Sequence, residues 1–481
     1  MRQGHSIGRG IAAGLVAAGV GLLLSGCSLF GAPAAEPEAG DDAELTVALV
    51  PDPPGASEFY REQFDAFEEA NPGITINVIE NPAAQHVNAV ELMFQQDEAP
   101  DVFRAQGAAT LDLFHERGWV ASLDDLVTDE FIARFPEGSM EPATSGLHRD
   151  GELVSVPLTW GDWGLTQPLI YNAEILAEYG YDGPPETWSE LEEMARTITE
   201  GGGGQVYGFV PTATDGLGLY AFANTASPAS VVNGIDLTKG GPLYEDDEIV
   251  ELVDSWRQMQ VDGVFEPGWE SFDQAKTFTE FAAGRVAMYP GAAWHVAEIR
   301  KLSPEIEMEL AAIPTPDSGR DGYVPRLSAF QPIWSMSSTT DHPEAALKLM
   351  DFLSSVEFYA AYYEKFGTLT ASPSAWEEEA SENPDQAALL EVSPELIRTA
   401  PNPQLQDNGG AQFWAASGSD ANLSWSAAAL QSIIGNVDYA PLAAQLTASM
   451  EALITESEGT EPDVRDAITF PDWDPLEDYV P

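Results

Sequence analysis

The chain has 481 residues, with 79 Asp and Glu against 20 Lys and Arg and a formal net charge of −59 at pH 7. A field of that sign repels phosphate backbones and anionic lipid surfaces, which argues against nucleic-acid binding and against peripheral docking on acidic membranes. With 44% hydrophobic residues it is no disordered polyanion, and its length allows two domains with filled interiors.

Met1 to Gly10 carry Arg2 and Arg9 and no acid, and Ile11 to Leu24 is an unbroken run of Ile, Ala, Gly, Leu and Val. That order has the form of a secretory signal peptide, and the run is shorter than the about 20 apolar residues a spanning helix needs. The uncharged stretch does continue to Ala35, so an uncleaved anchor is the competing reading. Leu24-Ser25-Gly26-Cys27 resembles the lipobox of bacterial lipoproteins, in which small residues admit the peptidase and the thiol forms a thioether with a diacylglycerol. Cys27 is the only cysteine, so it forms no internal disulfide and no thiolate metal cluster. Two acyl chains, palmitate among them, give stable anchoring where one gives only marginal binding. On this reading 1–26 is the lipoprotein signal peptide. Cys27 is the lipidated residue, and 27–43 is a flexible, acidic, Pro-bearing linker.

From Glu44 the periodicity becomes regular. Leu45 to Val50 reads as a buried strand, Ser57 to Ala70 as a helix with Tyr60, Phe64 and Phe67 on one face, and Asn71-Pro72-Gly73 as its end. Ile74, Ile76 and Val78 alternate as a second strand, a helix runs over about 83–96, and Pro100 to Phe103 makes a third strand. This β-α-β-α-β order predicts parallel strands with ligand sites at their carboxyl ends, where Asp52 and Gln106 fall. A second α/β region follows. Thr187-Trp188-Ser189-Glu190 is a capping box opening a helix that stops at Gly201 to Gly204, and Gln205 to Val210 is the next strand. Phe272 to Ala283 is helical, Gly284 ends it, Arg285 to Tyr289 is a short strand, and Pro290-Gly291 turns into another helix. His342 to Phe366 supplies one or two helices, and Ala375 to Gln386 reads as an acidic, exposed loop or helix.

Catalytic and metal motifs fail in context. Gly4-His5-Ser6-Ile7-Gly8 matches the nucleophile elbow of hydrolases but lies in the leader and follows no strand. Gly201 to Gly204 precedes no Gly-Lys-Ser/Thr, so there is no phosphate loop. Asp317 to Gly322 has acids at the first and fifth positions of a calcium loop but Gly319 at the third and Ser328 at the twelfth. The six histidines show no zinc spacing. No metal or cofactor is implied.

Tryptophan stands out, with 12 in the chain. Several lie beside Gly, Asp or Pro: Trp160 and Trp163 around Asp162, Trp294 after Pro290-Gly291, Trp414 and Trp425 further on. A sugar has an apolar C–H face and a hydroxyl rim, which suits aromatic plates edged by carboxylates and amides. A core position is the competing reading for each. The candidate ligand-binding set is Asp52, Gln106, Trp160, Asp162, Trp163, Trp294, Gln331, Trp414 and Trp425.

FEEANPGITINVIE (67–80), APDVFRA (99–105), GELVSVPLTW (151–160), LIYNAEIL (169–176), PETWSELEEMA (185–195), FAAGRVAMYPGAAW (281–294) and HPEAALKLMDFL (342–353) occur in a specific order and spacing. In these the chain resembles the extracellular solute-binding proteins of ABC importers, in the sugar-binding, maltose-binding-protein-like group. The resemblance implies a two-lobed α/β fold of the periplasmic-binding-protein type. Each lobe would be a mainly parallel sheet flanked by helices, and hinge crossings would join the two. The expected lobes are 44–157 plus 317–372 and 158–316 plus 373–470, with 471–481 as a tail. The resemblance also implies a carbohydrate ligand, permease subunits of an ABC transporter as partners, a monomer, contact with the membrane through the lipid alone, and no catalysis. Stacking tryptophans of the group carry over to Trp294, and by nearest match to Trp425. Its tryptophan after the third strand is replaced by Arg104-Ala105-Gln106, which speaks against maltose itself. The alternatives are a surface glycosidase, which needs two carboxylates about 5 to 10 Å apart, and a binder of a cation such as a polyamine.

Overall fold

A computed structural model describes residues 43–480 apart from 212–216, 228, 231–232, 406–407 and 462. The proposed leader, Cys27 and the linker up to Asp42 lie outside the described residues. No helix among those described is long and apolar enough to cross a membrane.

Eight strands form two sheets: β1 (Ala43–Leu49), β2 (Ile74–Glu80), β3 (Val102–Arg104), β4 (Leu169–Asn172), β5 (Tyr207–Phe209), β6 (Val286–Pro290), β7 (Met308–Ala311) and β8 (Trp334–Met336). The first sheet has the order β8-β3-β1-β2 and the second β7-β4-β6-β5. β1 pairs in parallel with β2 from Ala43↔Ile74 to Leu49↔Glu80 and with β3 at Val47↔Val102, while β8 runs antiparallel to β3. In the second sheet β6 is parallel to β5, and β4 is antiparallel to both β6 and β7. Each sheet therefore has three strands pointing one way and one reversed. The reversed strand is in each case the first that the chain adds after passing over from the other sheet. A chain arriving from the crevice at the carboxyl ends must run away from it, against its neighbours.

The first core draws on residues between Ala43 and Leu158 and again between Phe330 and Ala371. The helix Ala56–Ala70 buries Tyr60, Phe64 and Phe67 as its spacing predicts. Tyr60 meets Trp334 of β8 edge to face at 5.6 Å, and Phe59 packs on Phe358 at 5.7 Å. Residues about 300 positions apart thus share one interior. The second core is built from residues between Leu169 and Ile468. Its helix Trp188–Gly202 opens with Thr187 Oγ1 accepting from the Glu190 N–H at 3.3 Å. The Glu190 carboxylate reaches back to the N–H of Glu186, one residue beyond the expected partner.

His342 to Phe366 forms two helices, Pro343–Leu353 and Val356–Phe366. The 375–386 segment corrects its expected exposure. Glu377, Glu378 and Glu379 face solvent, but Trp376 and Ala380 are buried and the Trp376 indole donates to the Thr370 carbonyl at 2.8 Å. One face of an acidic helix can bury a few apolar residues while its charges stay wet.

Candidate ligand-binding site

The first passage between sheets contains a tight turn from Trp160 to Thr166. The Trp163 N–H donates to the Trp160 carbonyl at 3.0 Å and the Thr166 N–H to the Asp162 carbonyl at 2.8 Å. This turn holds the Asp162 side chain against the returning passage, where Arg326 Nη1 lies 2.9 and 3.1 Å from the two carboxylate oxygens. Arg326 Nη2 also donates to Thr399 Oγ1 at 2.8 Å. The Asp162 side chain is 13% exposed and that of Arg326 32%. In this setting each charge depends on the other for its solvation.

Around the pair opens a pocket of about 490 Å³ lined by Trp160, Asp162, Arg326, Thr399, Asn402 and Tyr479, and by the segment 136–139. Small-ligand sites have volumes of this order. The Trp160 N–H is fixed to the Leu369 carbonyl at 2.8 Å, and its ring lies 6.2 Å from that of Trp376 at 60°. Trp163 is also half-buried and packs against the same cluster. An aromatic wall beside a carboxylate and a guanidinium can hold a polyol by its apolar face and its hydroxyls together.

A second group gathers at the carboxyl edge of the first sheet. Gln106 follows β3 with φ 57, and its neighbour Gly107 takes φ 104. The N–H groups of Ala105 and Gly107 donate to the carbonyls of Ile333 and Pro332, which brings exposed Gln331 alongside. Arg104 turns its Nη1 toward the carbonyls of Val50 and Asp52 at 3.3 and 3.5 Å. Burial pushes the Tyr60 phenol up to about 12, with the Arg104 charge opposing and that of exposed Asp52 adding. His86, fully buried, holds the Arg104 carbonyl with Nε2 at 2.8 Å, and burial lowers its pKa.

Trp294 is the second residue of the helix Ala293–Leu302 and is half-buried. The Ala293 N–H donates to the Thr166 carbonyl at 3.1 Å and the Gly291 N–H to the Pro168 carbonyl at 2.9 Å, so the end of β6 is fixed to the first passage. Trp414 and Trp425 are placed elsewhere. They are 6% and 1% exposed inside the second core, with Trp425 against Tyr220 at 5.8 Å, and neither presents a face to a ligand. Each stands on a helix, and only packing decides that the indole turns inward.

Sequence reasoning missed Arg326, whose partner is 164 positions away. No local pattern marks such a pair. The calcium-like turn has another use, since Asp317 accepts from the Ser189 N–H at 3.3 Å. Among the described residues no group of three or more His, Cys, Asp or Glu is placed to hold a metal ion.

Two α/β sheets whose connecting passages wall a polar, aromatic pocket define a protein built to hold a solute. The chain belongs to the bacterial extracellular solute-binding protein family, whose sequence profile matches residues 62–388. A Brucella abortus (strain 2308) protein described as a binding protein is 27% identical over 390 residues, 79% of this chain and 87% of its own. The maltodextrin-binding protein MdxE of Bacillus subtilis (strain 168) is 24% identical over 336 residues, 66% of this chain and 72% of its own. The solved structure of an ABC transporter solute-binding protein from Thermotoga lettingae TMO, bound with α-D-tagatose, has a TM-score of 0.61 at 17% identity. It covers 85% of this chain and 99% of that one. At that identity the likeness concerns the fold, which is two-lobed as expected.

Proposed function

We propose that this protein captures a sugar or oligosaccharide between its lobes outside the cell and hands it to the permease subunits of an ABC importer. The observation that carries the reading is the Trp160–Asp162–Arg326 pocket at the two passages. It offers an aromatic plate, a carboxylate and a guanidinium within one cavity of sugar size. Family membership and the sugar-binding relatives support the same ligand class. The lobes are 44–157 with 317–372 and 158–316 with 373–470. Trp294 and Trp163 complete the aromatic surface, and Asp52, Gln106 and Gln331 serve the opposite lip. Binding shifts the population from an open to a closed arrangement, and the closed shape is what a permease recognises. The protein is a non-catalytic monomer held to the membrane by lipid on Cys27.

Calorimetry against neutral mono- and oligosaccharides, with polyamines alongside, tests the ligand class. Saturable binding of an unmodified sugar is expected, weakened at least about tenfold in Asp162→Asn. Binding of a polyamine alone, or hydrolysis of a glycoside during the titration, overturns the reading.

A further inference from the structure

A cationic cluster lies on the returning passage, on the face of a small two-stranded sheet opposite the pocket. Strand 324–326 pairs in parallel with strand 397–399, with Arg326 in register with Thr399 and Pro325 with Arg398. Successive side chains in a strand alternate between faces, so Arg326 and Thr399 reach the pocket while Arg398 turns away from it. There Arg398 meets Tyr323, with its guanidinium carbon 4.1 Å from the ring centre. The guanidinium carbon of Arg320 lies 4.5 Å from the same centre.

Neither cation has an ion-pair partner among the described residues. Among the described residues no carboxylate lies within 4.0 Å of either, although the chain has 79 acids. Asp317 is engaged with Ser189, Asp321 has no ion-pair partner among the described residues, and Glu395 acts on Arg320 only from a distance. Arg320 gives Nη1 to the Gly322 carbonyl at 3.3 Å. Arg398 gives Nη1 to the carbonyls of Ile397 and Pro394. The Nε and Nη2 groups of both have no protein acceptor among the described residues. Burial first, and the Arg398 charge after it, disfavour the charged form of Arg320, with Tyr323 and Glu395 offsetting part of this.

The backbone under the cluster is also tied down at several points. The Asp321 N–H donates to the Thr225 carbonyl at 3.0 Å, and the Val324 N–H to the Leu396 carbonyl at 2.9 Å. Gly322 packs so closely that a Cβ there would stand 2.2 Å from the Ser227 carbonyl oxygen. Two like charges held together on fixed backbone, with donors unused, are complementary to an oxyanion of about two negative charges.

We propose that Arg320, Tyr323 and Arg398 form a binding site for a phosphate-class dianion, separate from the sugar pocket. The two guanidiniums supply the charge and paired N–H donors, and Tyr323 fixes their spacing. The chain's net charge of −59 disfavours extended polyanions and leaves small species, either inorganic phosphate or a soluble phosphate monoester.

The test is calorimetry and thermal melting of the full-length protein with inorganic phosphate and with glycerol phosphate, at constant ionic strength balanced by chloride. Saturable binding with a dissociation constant of roughly 1 mM or tighter is expected for at least one of them. Binding of inorganic phosphate identifies the free ion as ligand, and binding of the ester alone identifies a phosphorylated solute. Arg320→Gln and Arg398→Gln should each weaken this binding at least about tenfold and leave sugar affinity unchanged. The proposal is overturned if neither anion binds at about 10 mM, or if both folded variants bind as the unmodified protein does.

Discussion

Gly161 and Ala329 meet backbone to backbone: a Cβ placed on Gly161 would stand 1.8 Å from the Ala329 carbonyl oxygen. They belong to the two separate passages between the sheets, so glycine at 161 is what lets the passages touch. Gly161→Ala forces them apart at a cost of about 1 to 3 kcal/mol, the range of overpacked interiors. Because Trp160 and Asp162 flank this position and line the pocket, sugar affinity should fall with the melting temperature. A variant that melts and binds normally would show that the contact does not matter.

Trp294 and Trp425 make opposite predictions. Trp294 is half-buried beside the first passage, so Trp294→Ala should cost about 2 to 4 kcal/mol of sugar binding, roughly 30-fold to 1,000-fold, with little change in melting. Trp425 is buried in the second core, so Trp425→Ala should lose about 3 to 5 kcal/mol of stability through the cavity it leaves. Calorimetry and melting on both variants separate a plate from a core residue. Normal sugar affinity in Trp294→Ala removes it from the site.

If Cys27 carries the proposed lipid, Cys27→Ala should leave either an unprocessed precursor or a folded protein released from the membrane. Fractionation followed by mass spectrometry reads both. Processed protein that stays in the membrane fraction would contradict a lipid anchor on this residue.

Acid should weaken the fold through His86. Burial is the largest influence on this imidazole and lowers its pKa from 6.5, with the Arg104 charge acting the same way and the bond to the Arg104 carbonyl opposing. The unfolded chain therefore takes up a proton that the folded chain refuses. The contribution of neutral His86 is complete above about pH 6.5 and is lost as pH falls below that value. The melting temperature should drop between about pH 6.5 and 5, and less steeply in His86→Gln. Parallel melting curves for the two proteins would assign the acid sensitivity elsewhere, His148 being the next candidate since burial lowers its pKa too.

What could be read from the sequence was local. The β-α-β-α-β run is legible because Tyr60, Phe64 and Phe67 recur at helical spacing and Asn71-Pro72-Gly73 punctuates them. The turn around Asp162 is legible because Trp, Gly and Asp rarely interrupt a core segment together. The direction of β4 and β8 follows from where the chain re-enters each sheet, which no window of residues encodes. Trp414 and Trp425 look like Trp160 in one dimension, and only the helix orientation sends them inward. The partners Asp162 and Arg326, or Arg320 and Arg398, are brought together by tertiary packing across long stretches of chain.

The reversed strand β8 also sets an order of events for the chain as it is delivered from its N-terminus. β1 to β3 arrive early, but the edge of β3 is paired by Trp334–Met336, and Phe59 and Tyr60 wait for Phe358. Until those later residues are through, the first sheet has an open hydrogen-bonding edge and an uncovered apolar face, the condition most prone to association. The whole second sheet is delivered in that interval. A fragment ending near residue 160 should therefore aggregate rather than fold, and the abundance of acidic side chains along that fragment would be its main protection while it waits.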